Sequence, residues 1–302
     1  MSNPLLQPHP LPPFSSIDAE HVLPAVEEHL NTNRTRISEL LGQFASGEAT
    51  PTWETLIEPM DEWHDELSKA WSPVGHLNGV LNSDDLREAY NACLPLLSQY
   101  WTEFGQNEDL FKAYDALKNS PEFDKLSGPQ KTAINNALRD FRLSGIDLPA
   151  DKKVRYAEIQ QKLSALTSKF SENVLDATAA WTKHITDVSE LDGVPESGLG
   201  LLAQQAQQRD LDGYVITLDF PSYMPIMSYC TNRELREELY TAFVPRASDT
   251  GPNAGEFDNS QNMKDIMVMV IFHCNQIIHM IASYNFYLNI FRTKDSFLYI
   301  VN

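Results

Sequence analysis

Apolar residues recur three and four positions apart from about Ser16 to Asp147, and the polar breaks between them carry helix-start signals. The pattern predicts a region of successive helices. Thr50 before Pro51 and Ser120 before Pro121 each suit a capping residue followed by proline at the first helical position. Ser127 with Gln130 offers a capping box, in which a hydroxyl and an amide satisfy each other's orphan backbone N–H groups. Leu86, Tyr90, Leu94 and Leu97 form one apolar face, and Pro95 within it is expected to kink or divide that helix.

The longest periodic run follows Pro149, where Ile159, Leu163, Leu166, Phe170, Val174, Ala177 and Trp181 trace one stripe along a long helix. A coiled-coil seam needs more heptads and a regular charged flank, so ordinary packing is favoured. Gly193, Pro195 and Gly198 then break the helical pattern. Tyr214-Val215-Ile216-Thr217-Leu218 is β-prone and ends at Pro221, and a lone strand would leave backbone groups unpaired, so residues 181–186 are its expected partner. Thr231 and Glu234 suggest a second capping box, opening a helix through Leu235, Leu239 and Phe243. The loop Gly251-Pro252-Asn253-Ala254-Gly255 closes it. No fixed-period repeat is visible, which disfavours a solenoid.

Composition changes the picture at both ends. The first fourteen residues hold five prolines and neither a basic stretch nor an apolar run, so an extended lead-in lying over the first helices is expected rather than a signal peptide. Beyond Asp265 the chain turns rich in Ile, Phe, Tyr, Asn and Met, with Asp295 its one acidic residue. Residues 268–290 raise the question of a membrane span, but Asn275, Gln276, His279, Ser283 and Asn285 would each be costly in hydrocarbon. A sticky, poorly packed terminus is the expectation instead.

A formal net charge of −19, from 42 acidic against 23 basic residues, repels phosphate backbones and anionic headgroups, so no nucleic acid and no membrane partner is expected. Cys93, Cys230 and Cys274 are odd in number and widely spaced, which suggests no disulfide framework and fits a cytoplasmic location. His64-Asp65-Glu66-Leu67 resembles the start of a zinc helix, yet position 68 is serine, and H-E-x-x-H needs two imidazoles four apart. A polar helix patch with Asp61 and Glu62 is the simpler reading. His273 and His279 fall on nearly opposite sides of a helix, and His21 and His29 are two turns apart, too far for one ligand shell. No phosphate loop or G-x-S-x-G elbow is present. Glu234, Glu237 and Glu238, interleaved with Arg233 and Arg236, read as a solvated face. Tyr223, Met224, Met227 and Tyr229 read first as core or wall, with the lining of a peptide channel as the alternative. No catalytic and no metal-binding residue emerges, and no cofactor is expected in this chain.

Several stretches nevertheless stand out as text: Asn3-Pro4-Leu5-Leu6 with Leu11-Pro12-Pro13-Phe14, then Ser72-Pro73-Val74-Gly75-His76-Leu77-Asn78, and Ala137-Leu138-Arg139-Asp140-Phe141 with Leu143-Ser144-Gly145-Ile146. Asn173-Val174-Leu175-Asp176-Ala177-Thr178 with Trp181-Thr182-Lys183 joins them, as do Leu218-Asp219 with Pro221-Ser222-Tyr223, and Arg246-Ala247-Ser248-Asp249 with the Gly251–Gly255 loop. Together, in this order, they resemble the thimet oligopeptidase family of zinc metallopeptidases. The resemblance implies a mainly α fold: a multi-helical lobe bordering a channel in which short peptides are cut, with a short β element. It also implies zinc held by H-E-x-x-H and a later glutamate, none of which stands on a residue of this chain. The expected organisation is an amino-terminal helical lobe over 1–148, a long helix, β element and channel-wall helix over 149–262, and a divergent tail over 263–302. The expected protein is a fragment that stops before the catalytic zinc helix, inactive alone, and binding short peptides weakly at most. A helical regulatory protein that associates with a full-length peptidase is the alternative. Because the family-like text stops abruptly near Met267, a frameshift, insertion or premature stop is expected; shifting the reading frame of the coding DNA there should recover family-like sequence downstream, and its failure to do so would contradict a frameshift.

Overall fold

A computed structural model of the protein describes residues 3–283, with side chains through residue 272. Those residues are mainly helical, with one two-stranded antiparallel sheet. They divide into two compact units, residues 3–165 with 269–283, and Leu166–Val268.

The first unit begins with helices α1 (Ala19–Ser46), α2 (Glu58–Val80) and α3 (Asp84–Gly105). Val22, Val26 and Leu30 of α1, Leu67, Val74 and Leu77 of α2, and Leu86, Cys93, Leu97 and Tyr100 of α3 close one buried cluster. Helices α4 (Glu108–Lys118), α5 (Pro121–Lys125) and α6 (Gly128–Leu143) follow. Leu110, Leu117, Ile134, Leu138 and Phe141 join Ile37, Leu56 and Met60 in a second cluster. Ser127 and Gln130 form the anticipated capping box of α6.

The lead-in does more than cover helices. Residues Pro4–Leu6 make a 3-10 turn that inserts Leu5 into the first core cluster. Asn3 Nδ2 donates to the His21 carbonyl at 2.8 Å, and His29 Nε2 lies 3.2 Å from the Leu5 carbonyl. Thr50 is not a cap: Thr52 is, heading a π-helical turn over Trp53–Ile57, while the Thr55 hydroxyl donates back to the Thr50 carbonyl. Pro121 does open α5, but Ser120 turns its hydroxyl back to the Leu117 carbonyl instead of capping forward. Pro95 does not divide α3. A mid-helix proline costs about 3 kcal/mol, but α3 buries Leu86 and Cys93 before it and Leu97 and Tyr100 after it, each worth about 1.5–3 kcal/mol for a large side chain.

His64 is not part of a solvated patch. Its Nε2 lies 2.9 Å from the Tyr100 hydroxyl, and its ring packs 4.8 Å from Trp101 and 4.9 Å from Phe104. The reason is rotational: Asp61 and Glu62 are exposed, whereas His64 sits on the α3-facing side of α2. Burial lowers its pKa from 6.5 to about 4.

Helix α7 (Ala150–Ala180) follows, contributing its residues through Ala165 to the first unit and those from Leu166 to the second. Along its stripe Ile159 and Ala177 are buried, while Leu163, Leu166, Phe170 and Val174 are half-buried. The second unit then contains β1 (Thr182–Ile185), α8 (Glu196–Gln207), β2 (Tyr214–Thr217), α9 (Phe220–Tyr229) and α10 (Arg233–Phe243). Helix α11 (Ser260–Ser283) begins in it. Among the described residues no helix is long and apolar enough to cross a membrane. Of the divergent tail, residues 284–302 and the side chains of His273, Cys274 and His279 lie outside the described residues.

The neutral His64 imidazole is the form the fold favours, so its stabilisation is complete above the unfolded value of 6.5 and is lost as pH falls towards 4. Urea unfolding at pH 7 and pH 4.5 should therefore show the wild-type chain losing about 2 kcal/mol more than His64→Phe over that interval. Equal losses would mean that His64 is solvated.

Candidate functional site

The second unit is built on a two-stranded sheet whose strands are separated in sequence by α8. β1 pairs antiparallel with β2, Thr182 opposite Thr217 and Ile185 opposite Tyr214, as the need to pair a lone strand anticipated. Val215, Ile216 and Thr217 are buried along β2, and α8 covers that strand with Leu202 and Ala206. The chain turns directly from β2 into α9: the Ser222 hydroxyl accepts from the Thr217 N–H at 3.0 Å.

Helix α9 splits the four candidate wall residues. Tyr223 is 8% exposed and stacks on Phe243 of α10, ring centroids 4.0 Å apart. Met227 is half-buried against the same core. Met224 is 38% exposed and Tyr229 59%. The cluster is therefore not a single lining: its first tyrosine joins α9 to α10, and Met224 and Tyr229 present apolar surface to solvent. Burial raises the Tyr223 phenol above its ordinary range, opposed in part by the Arg246 cation.

Arg246 extends the stack. Its guanidinium sits 3.9 Å over the Phe243 ring, and Nη1 donates to the Phe243 carbonyl at 2.7 Å. Beside it lies a shallow crevice bordered by Ala177, Trp181, Leu218, Pro252 and Asn253, with no histidine, cysteine or carboxylate on its rim. Such a lining can hold an apolar group; its one hydroxyl is that of Thr250, and no histidine or carboxylate on the lining stands beside it as a general base.

Helix α10 begins one residue later than its sequence signal suggested. Asn232 is the cap, accepting from the Leu235 N–H at 3.1 Å, and the Thr231 hydroxyl instead donates to the Asp192 carboxylate at 3.0 Å. Gly193, with φ of 89°, lets that loop close on the end of α9, where a Cβ would collide with the Tyr229 carbonyl. Lys183 pairs with Glu238 at 2.5 Å, and Glu234 and Glu237 remain exposed, consistent with a solvated face.

Sequence reasoning missed a buried amide cluster. Asn173 Nδ2 donates to Asn259 Oδ1 at 2.9 Å, and Asn259 Nδ2 donates to the Phe170 carbonyl at 3.0 Å. The available signal was an asparagine in α7 beside the apolar stripe, one position before Val174. Among the described residues no group of three or more His, Cys, Asp or Glu side chains is placed to hold a metal ion, so this donor set does not fit a zinc site.

Residues 26–153 match the family described as Neurolysin/Thimet oligopeptidase, N-terminal domain. The chain is 52% identical over 269 residues to oligopeptidase A of Escherichia coli strain K12, an alignment covering 89% of this chain and 39% of the relative. It is 53% identical to oligopeptidase A of Haemophilus influenzae with the same coverage. A probable cytosolic oligopeptidase A of Arabidopsis thaliana is 37% identical over 273 residues, 88% of this chain and 38% of the relative. The chain thus spans about two fifths of the length of these curated relatives.

Truncation should separate the two kinds of side chain. Tyr223→Ala is expected to cost about 3 kcal/mol in chemical unfolding, because it empties a stacked core position. Met224→Ala and Tyr229→Ala should each stay within about 0.5 kcal/mol. Asn259→Ala should cost about 1–3 kcal/mol by leaving the buried Asn173 amide without its partner.

Proposed function

We propose that this chain, which resembles the amino-terminal part of oligopeptidase A in the thimet oligopeptidase family, is the non-catalytic helical lobe of a peptidase that hydrolyses short peptides, and that it does not cleave them by itself. The observation that carries this reading is the 269-residue alignment at 52% identity, which takes up 89% of this chain and only 39% of the relative. The sequence contains no H-E-x-x-H, and the described residues offer no zinc donor set.

The lobe's own contribution is surface. Met224 and Tyr229 present a flexible thioether and an amphipathic ring outward and form part of a wall along which a peptide lies, while Tyr223 is held in the stack on Phe243. Such a wall gives orientation without bond-breaking chemistry, and peptide affinity for the lobe alone is weak because no facing wall encloses the ligand. Zinc in the intact peptidase would be held by an H-E-x-x-H helix, a motif this sequence does not contain. A cytoplasmic location is in keeping with two buried free thiols, Cys93 and Cys230, and with the cytosolic Arabidopsis relative, although another relative from that plant is named as organellar.

Metal analysis of the purified chain, with an assay of a quenched fluorescent peptide and a chelator control, tests the reading. The expected result is no stoichiometric zinc and no chelator-sensitive cleavage. Bound zinc with chelator-sensitive turnover would overturn it.

A further inference from the structure

Arg246 is a cation without an anion. Arg34, Arg36 and Lys183 each pair with a glutamate, whereas no carboxylate among the described residues pairs with Arg246, in a chain where acidic residues outnumber basic ones by 42 to 23. One face of its guanidinium lies on the Phe243 ring, and Nη1 donates to the Phe243 carbonyl. The Nε/Nη2 edge is unused: Nε is buried with no hydrogen-bond partner, and Nη2 has none among the described residues. Nε–H and one Nη2–H point the same way in the guanidinium plane, and together they form the fork that receives both oxygens of a carboxylate. The backbone around this group is over-determined. Ala247 has a φ of 59°, a left-handed conformation that is strained for a residue with a Cβ, and it is held there by the Asn259 N–H, which donates to its carbonyl at 2.9 Å. Gly251, with φ of 92°, folds the next loop onto Pro245, where a Cβ would stand 2.6 Å from the Pro245 Cγ.

We infer that the crevice beside Arg246 is a binding site for a carboxylate on a short apolar body. The two oxygens take the Nε/Nη2 edge, and the hydrocarbon lies against Trp181, Leu218 and Pro252, which line the crevice with Thr250 and Asn253. All of these residues belong to the second unit. Charge selects the acid: elsewhere a chain of net charge −19 repels anions, and here a positive charge is left without a partner. The apolar lining selects the body, since a bare, strongly hydrated anion gains nothing from it. Because Nε lies out of solvent, full use of the fork requires the rim to give slightly, and Thr250 and Pro252 are its exposed part. A short branched-chain organic acid and the free carboxy terminus of a peptide ending in an apolar residue share this chemistry. Tyr223, Met224, Met227 and Tyr229 do not line the crevice, so it is separate from the proposed peptide wall and does not depend on the lobe reading.

The isotope-labelled 302-residue chain would be titrated with isovalerate, with its neutral amide isovaleramide, with acetate and with N-acetyl-leucine, following the arginine Nε–H resonances by NMR. The Arg246 signal is the one absent from Arg246→Lys. Isovalerate should shift that signal, isovaleramide should not, and acetate should bind at least about threefold more weakly for want of the apolar body. Arg246→Lys keeps the charge and loses the fork, so it should bind at least about tenfold more weakly. Asn253→Asp leaves the Arg246 stack intact and places a carboxylate on the rim, and it should weaken binding by a similar factor while keeping the wild-type melting temperature. N-acetyl-leucine separates the two sources: tighter binding than isovalerate assigns the crevice to peptide carboxy termini, and weaker binding assigns it to free acids. No shift of the wild-type Arg246 signal by isovalerate, an equal shift by the amide, undiminished binding by Asn253→Asp, or equal shifts of several arginines would overturn the inference.

Discussion

The second unit depends on one buried amide, that of Asn259. Its Oδ1 accepts from Asn173 and Asn262, its Nδ2 donates to the Phe170 carbonyl, and its backbone N–H donates to the Ala247 carbonyl at 2.9 Å. A primary amide has two acceptor lone pairs and two donors, and three of the four are used in one place out of water. An apolar residue in its place would leave the buried Asn173 amide without this partner. Through this amide the loop after α10 is held against α7, and α11 starts where it does: the Met263 N–H reaches the Asn259 carbonyl at 2.7 Å. With that loop anchored, Pro252 and Asn253 close over Trp181 and Arg246 and shape the crevice.

Apolar packing supplies the rest of this unit. Tyr223, Phe243 and Arg246 form a three-layer column, ring on ring and then guanidinium on ring. The column fixes α9 against α10 and thereby decides which side chains stay outside. Phe220, Met224 and Tyr240 are exposed because their neighbours on the same helices occupy the stack. The exposed apolar surface of α9 and α10 is thus a consequence of how the core is filled.

Legibility from sequence followed the range of the interactions. Local periodicity was enough for the helices, and the rule that strand groups must pair was enough to match residues 181–186 with Tyr214–Leu218. Caps were harder, since Thr50, Thr52, Thr231 and Asn232 are all competent by type, and neighbours decided among them. Thr231 was drawn away by Asp192, thirty-nine residues earlier in the chain. His64 was misjudged for the same reason: its partners Tyr100, Trp101 and Phe104 stand a helix away, and nothing adjacent in sequence announces them. The tyrosine and methionine cluster was legible as a group, but its division into a stacked Tyr223 and an outward Met224 and Tyr229 required Phe243.

The central claim is that this chain holds a folded lobe needing neither metal nor the remainder of a peptidase to form its core. Amide hydrogen exchange on the purified chain, with and without added zinc, tests it most directly. The account predicts slow exchange in α7, β2 and α10, together with the amides of Asn259 and Met263, and the same protection in both conditions. Fast exchange throughout those elements without zinc, with protection appearing only when zinc is added, would contradict it.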